Sequence, residues 1–210
     1  RAALAAEDID AVVIATRHAS HAAMVDEALR AGKAVFVEKP LAIDLAGAEL
    51  ARKALADTGN ERLQIGFNRR FSPLIRHMAG LFGGGPLVIH YRVHAGPVDK
   101  NAWINSPEEG TRFVGEAGHF FDVFNVLTGA RPVSVFAQSL RPRDPTRDDL
   151  ENIAIVVGYE DGSVGNLLYL TQGSVKTPKE FIEVFGAGKT ARLANFESLD
   201  LYEGTKHRRV

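Results

Sequence analysis

Ala34-Val35-Phe36-Val37-Glu38-Lys39-Pro40 is the stretch whose reading decides the fold. Four consecutive apolar residues without helical period read as a strand buried on both faces, as in a parallel sheet. A carboxylate, an ammonium and a proline follow where that strand ends. In open parallel sheets ligands bind beyond the carboxyl ends of the strands, which places Lys39 for chemistry. The plainer alternative is a strand that stops at a solvated Glu-Lys turn.

The flanking residues extend the pattern. Leu4 to Glu7 reads as the tail of a helix. Ala11 to Thr16 repeats the doubly apolar strand, with a polar exit at Arg17-His18-Ala19-Ser20-His21. Ala22, Val25, Ala28 and Leu29 fall at helical spacing, and Gly32 stops that helix. Asp44 caps another helix running to about Ala56, ended by Asp57-Thr58-Gly59-Asn60. Leu63 to Phe67 is a third strand. Strand–helix–strand–helix–strand with short connections predicts an α/β fold, with half of a Rossmann-type parallel sheet in residues 1–67.

The character changes after Phe67. Asn68 to about Phe82 is predicted helical, broken by Gly83-Gly84-Gly85-Pro86. Leu87 to Val93 alternates as a strand, and Asn101 to Arg112 is irregular. Val114 to Leu127 is a helix with Ala117, Phe120, Phe121, Phe124 and Leu127 on its apolar face. Strands follow at Val133 to Ser139, then at Ile153 to Tyr159 and Val164 to Leu170 about Asp161-Gly162. Phe181 to Phe185 and Thr190 to Leu193 are joined by Gly186-Ala187-Gly188, and Leu199 to Tyr202 ends the series. Arg141 to Asp149 is a charged loop. Residues 68–210 are thus expected to form an α+β domain with a mostly antiparallel open sheet and helices on one face.

Composition narrows the class. The chain has 210 residues with 25 Lys plus Arg against 26 Asp plus Glu, which favours neither nucleic acid nor an anionic membrane. It has no cysteine, so disulfides and thiolate metal sites are excluded, in keeping with a cytoplasmic location. No apolar run approaches the roughly 20 residues of a membrane span. It opens at Arg1 and closes at Val210 as though cut from a longer protein at both ends.

Several motifs were weighed for chemistry. Gly188-Lys189-Thr190 resembles the end of a phosphate loop, but position 183 is Glu, and the context is a hairpin turn. No G-x-G-x-x-G occurs in the chain. Glu116, His119 and Asp122 form a polar stripe opposite the phenylalanines; His119 suits proton transfer, or it is a structural histidine bonded to a carboxylate. Tyr91 and Trp103 line a pocket or fill a core. His18 and His21 flank a strand exit without a third ligand, so no metal is expected.

Ala11 to Thr16, His21, Ala31 to Ala42 with its Glu38-Lys39-Pro40, Gly66 to Pro73 and Gly115-Glu116-Ala117-Gly118-His119-Phe120-Phe121-Asp122 together resemble the Gfo/Idh/MocA oxidoreductases. The wording is most similar to members fused behind a zinc alcohol-dehydrogenase-like domain. The resemblance implies an NAD- or NADP-dependent enzyme acting on a sugar, cyclitol or related secondary alcohol, with homo-oligomers formed through the C-terminal sheet. It implies Lys39 and His119 as proton-transfer residues and a Lys39-Pro40 bond that is cis. Glu116 is a candidate auxiliary, because the family helix usually carries Asp four residues before the His, where this chain has Gly115. Thr16, His21, Glu38, Lys39 and Asn68 are expected along the cofactor cleft. The first half of the Rossmann domain, with its glycine loop, and a C-terminal helical closure are expected outside these residues. The rival reading is a non-catalytic sheet module serving subunit association.

Overall fold

The computed structural model describes residues 2–99, 101–140 and 151–210, so the loop expected at Arg141 to Asp149 lies outside the described residues. The chain divides into two units, residues 1–67 with 99–119, and residues 68–98 with 120–210.

The first unit opens with a short helix α1 (Ala2–Ala5), strand β1 (Ala11–Ile14), a 3-10 turn (His18–Ser20) and helix α2 (His21–Arg30). Strand β2 (Ala34–Val37), helix α3 (Leu45–Thr58) and strand β3 (Leu63–Ile65) follow. The sheet order is β1-β2-β3, all parallel, with Ala11 opposite Ala34 and Val35 opposite Leu63. Ile14, Val35 and Val37 from the strands meet Val25, Ala28 and Leu29 of α2 and Ala51 and Ala54 of α3 in one core. The Asp44 carboxylate caps α3 by accepting from Gly47 N–H at 2.7 Å. Gly59, at φ 62°, provides the left-handed residue that ends it.

Among the described residues the strands of this sheet are buried on one face. Burial alternates along β2, and Phe36 is 37% exposed, with Val13 of β1 at 74%. The two long helices share one face of this sheet; among the described residues the side chains of Val13 and Phe36 have no such cover. An apolar run reports hydrophobicity at each position, not which layer supplies the burial.

In the second unit a 3-10 turn (Arg69–Phe71) and a shorter helix α4 (Pro73–Ala79) replace the single helix expected from Asn68 to Phe82. Pro73 starts α4, where its missing N–H and fixed φ are tolerated. Strand β4 (Val88–His94) comes next. The irregular segment holds two 3-10 turns, Trp103–Asn105 and Pro107–Glu109, and leads into helix α5 (Thr111–Thr128). Residues 99–119, expected in the second domain, cluster with the first unit, and α5 divides between the units after His119.

Strands β5 (Pro132–Ser139), β6 (Ile153–Tyr159), β7 (Val164–Leu170), β8 (Glu180–Gly186), β9 (Lys189–Ala194), β10 (Ser198–Glu203) and β11 (Lys206–Arg209) complete the chain. With β4 they form one sheet in the order β11-β10-β9-β8-β4-β7-β6-β5, antiparallel except for β4 against β7. β11 was not anticipated. Ala187 and Gly188, at φ 47° and 71°, turn β8 into β9, the paired left-handed residues of a tight hairpin and not a phosphate loop. Tyr91 and Phe120 pack edge to face at 5.2 Å in a core that includes Ile89, Phe124, Leu167 and Ile182.

Candidate active site

The exit of β1 carries three of the residues in question. Thr16 is exposed, and its hydroxyl lies 2.6 Å from Ser20 Oγ. The His18 ring is 5% exposed. Its Nδ1 lies 3.2 Å from the Glu109 carbonyl oxygen, and its ring meets Trp103 edge to face at 4.9 Å. Glu109, itself buried, accepts from Ala19 N–H at 3.1 Å. Burial holds the His18 pKa below the ordinary imidazole value; the charges of Lys39 and His21 push the same way, against the Glu109 carbonyl. His21 has no exposed surface, with Nδ1 2.7 Å from Pro40 O and Nε2 3.1 Å from Thr16 O. Both ring nitrogens of His21, a residue expected along the cofactor cleft, face the protein's own backbone.

Glu38 and Lys39 stand at the exit of β2, the middle strand, and both are half-buried. The Lys39-Pro40 peptide bond is cis. The Glu38 carboxylate packs against Gly66 just past β3, where a Cβ would fall 3.1 Å from Oε1. The next residue, Phe67, meets the His119 ring edge to face at 6.0 Å.

Helix α5 reaches these exits through two glycines. A Cβ on Gly115 would fall 2.6 Å from His18 Cε1, and one on Gly118 would fall 2.8 Å from Phe67 Cε1. They are three residues apart and so share a face. Each lets a ring from a strand exit lie directly on the helix backbone. The chain enters α5 through Gly110 and Thr111 at φ 83° and 67°. A side chain at Gly110 would collide with Ile43, its Cβ 2.6 Å from that of Ile43. Thr111, a β-branched residue in the left-handed region, carries strain of about 1–3 kcal/mol. Strain of this kind persists where surrounding packing dictates the path.

His119 is 7% exposed on this helix. Glu116 accepts from Arg112 Nε at 3.3 Å, and Arg112 is buried. In the polar stripe read from sequence, His119 and Asp122 are buried and Glu116 is half-buried.

Asn68 begins the second unit, exposed, its carbonyl accepting from Phe71 N–H at 3.1 Å. Two arginines follow it. Arg69 donates to both oxygens of the buried Glu180 at 2.9 and 2.5 Å, and Tyr91 donates its hydroxyl to the same carboxylate. Arg70 forms a fork with Asp122, with Nε 2.9 Å from Oδ2. Burial would raise the Glu180 pKa; the bonds and charge of Arg69 outweigh it and hold the group below the usual carboxylate range.

Sequence reasoning missed His18, Glu109, Gly115 and Gly118 as site-forming residues. The signal was the glycine pair three apart on an otherwise good helix, which a helix tolerates only at a cost. Among the described residues no group of three metal-ligating side chains occurs, and no helix is long and apolar enough to cross a membrane. Polar groups at the exits of β1 and β2 fit the ring end of a nicotinamide dinucleotide, with the Thr16 hydroxyl and half-buried Lys39 as donors.

Residues 1–67 match GFO_IDH_MocA, an oxidoreductase family with an NAD-binding Rossmann fold. The inositol 2-dehydrogenase of Rhizobium meliloti (strain 1021) is 36% identical over 140 residues, covering 63% of this chain and 41% of that protein. Inositol 2-dehydrogenase 1 of Mycolicibacterium vanbaalenii is 40% identical over 178 residues, covering 81% of this chain and 50% of its own length. The crystal structure of apo scyllo-inositol dehydrogenase from Lactobacillus casei matches with a TM-score of 0.71 at 28% identity, covering 90% of this chain and 57% of that one. The chain spans about half the length of these relatives. The match of the parallel half, with its Lys39 exit, and the likeness that runs on through the second sheet agree: the chain belongs to the Gfo/Idh/MocA oxidoreductase family.

Proposed function

We propose that the protein containing these residues oxidises a secondary hydroxyl of a cyclitol or related sugar, using NAD or NADP. The observation that carries this reading is the position of Lys39 at the carboxyl end of the central parallel strand, the place where such sheets bind ligands. When bound, the dinucleotide supplies the hydride acceptor. Lys39 takes the hydroxyl proton, and His119 holds the substrate oxygen or relays that proton onward. Glu116 contributes through Arg112, which it fixes. Thr16 and Glu38 contribute polar groups to the cofactor side. The inositol dehydrogenases among the relatives favour a ring polyol over an open-chain alcohol. Copies of the protein associate through the outer face of the second sheet, where Val88, Val156, Val164 and Phe185 are exposed.

The test is a panel of inositol isomers and sugars presented to the full-length protein with NAD+ and, separately, NADP+. Reduced nicotinamide should form with at least one ring polyol. Reduction of neither cofactor by any of them, with the protein folded, would overturn the reading.

A further inference from the structure

The last ladder bond between β1 and β2 runs from Glu38 N–H to the Ile14 carbonyl at 2.8 Å. Past it the two chains continue as loops, one through Thr16, the other through Lys39 and Pro40. The His21 ring sits between them, with Nδ1 2.7 Å from Pro40 O and Nε2 3.1 Å from Thr16 O. A carbonyl oxygen only accepts. The imidazolium therefore makes both hydrogen bonds, whereas the neutral ring keeps one and turns a lone pair toward the other oxygen.

We propose that His21 is a positioning residue: its ring clasps the exits of β1 and β2 and so fixes the backbone from which the Lys39 side chain departs. This rests on the reading of Lys39 as the proton-transfer group. The ring has no exposed surface, so it acts on a ligand only through what it holds. It is the first residue of α2, which anchors its own backbone.

The ionisable groups around the clasp are His18, 6.0 Å away between ring centroids, Lys39, whose charge reaches His18, and Glu109, whose carboxylate takes the Ala19 N–H. A cation at the start of a helix opposes the helix dipole, and burying it costs desolvation. Two charge-assisted bonds to carbonyl oxygens offset these terms.

The experiment uses the full-length protein with the ring polyol and cofactor found active, comparing wild type with His21→Gln and His21→Asn. The expected loss is in kcat, up to about 100-fold, the scale set by a small misplacement of a reacting group, with KM little changed. Nitrogen NMR of the wild-type His21 ring tests the clasp without any turnover. Both ring nitrogens should show the shifts of hydrogen-bonded nitrogens. A folded His21→Gln protein with unchanged kcat would overturn the proposal. So would a ring nitrogen that makes no hydrogen bond. Should the wild type reduce no cofactor, the functional reading fails while the NMR result still decides the clasp.

Discussion

The His18 imidazole lies where a side chain at position 115 would lie: a Cβ on Gly115 falls 2.6 Å from the ring's Cε1. One residue's absence of a side chain is the other's site. Through this pair α5 touches the exit of β1, and through Gly118 and Phe67 it touches the exit of β3. Helix and sheet are thereby joined inside the first unit, with His119 next in sequence to the second contact.

Gly115→Ala should force the His18 ring to move and destabilise the protein by about 1–3 kcal/mol, the usual cost of overpacking. His18→Ala empties the same space. In chemical denaturation the double variant should lose clearly less than the sum of the two single losses, because the added methyl then has room. Additive losses would show that the two residues do not compete for one space.

Asp44 caps α3 through its bond to Gly47 N–H. Asp44→Ala should lower the urea midpoint by an amount equivalent to about 1 kcal/mol with the slope unchanged. The more conservative Asp44→Ser should restore most of it. A midpoint unmoved by Asp44→Ala would remove the cap from the account.

Glu180 links Arg69 and Tyr91 within the second unit. Glu180→Gln leaves the Arg69 charge without its counter-ion in a largely buried position and should cost about 3–5 kcal/mol. The folded-state pKa of Glu180 is depressed. Its contribution is therefore fully present above the ordinary glutamate value, about 4.3, and is lost as pH falls through the lower folded value. Thermal unfolding followed downward from neutral pH should show a decline in wild type that is shallower in Glu180→Gln. Parallel declines would count against the pairing.

Local signals carried much of the fold. The strand at residues 34–37, the Asp44 cap, the Gly59 stop and the hairpin after Gly186 each rest on neighbouring residues, and each is legible in sequence. The second covered face expected of the strands is not supplied by the described residues, where Val13 and Phe36 are exposed. The clustering of residues 99–119 with the first unit has no local signal in the sequence. Their allegiance is decided by Glu109 reaching Ala19, Gly110 meeting Ile43 and Gly115 meeting His18, contacts some 67 to 97 positions apart. The candidate residues Lys39 and His119 were visible as chemistry, but the glycines that seat the helix were visible only as poor helix formers.

The central claim is that Lys39 and His119 serve one reaction on a ring polyol. Steady-state oxidation by the full-length protein, measured for wild type, Lys39→Met, His119→Asn and the double variant, tests it most directly. The account predicts that Lys39→Met lowers kcat by about 100- to 10,000-fold, the range for a lost general base, with substrate binding largely kept. It also predicts that the double variant is little worse than Lys39→Met alone. An unchanged kcat in Lys39→Met would contradict it.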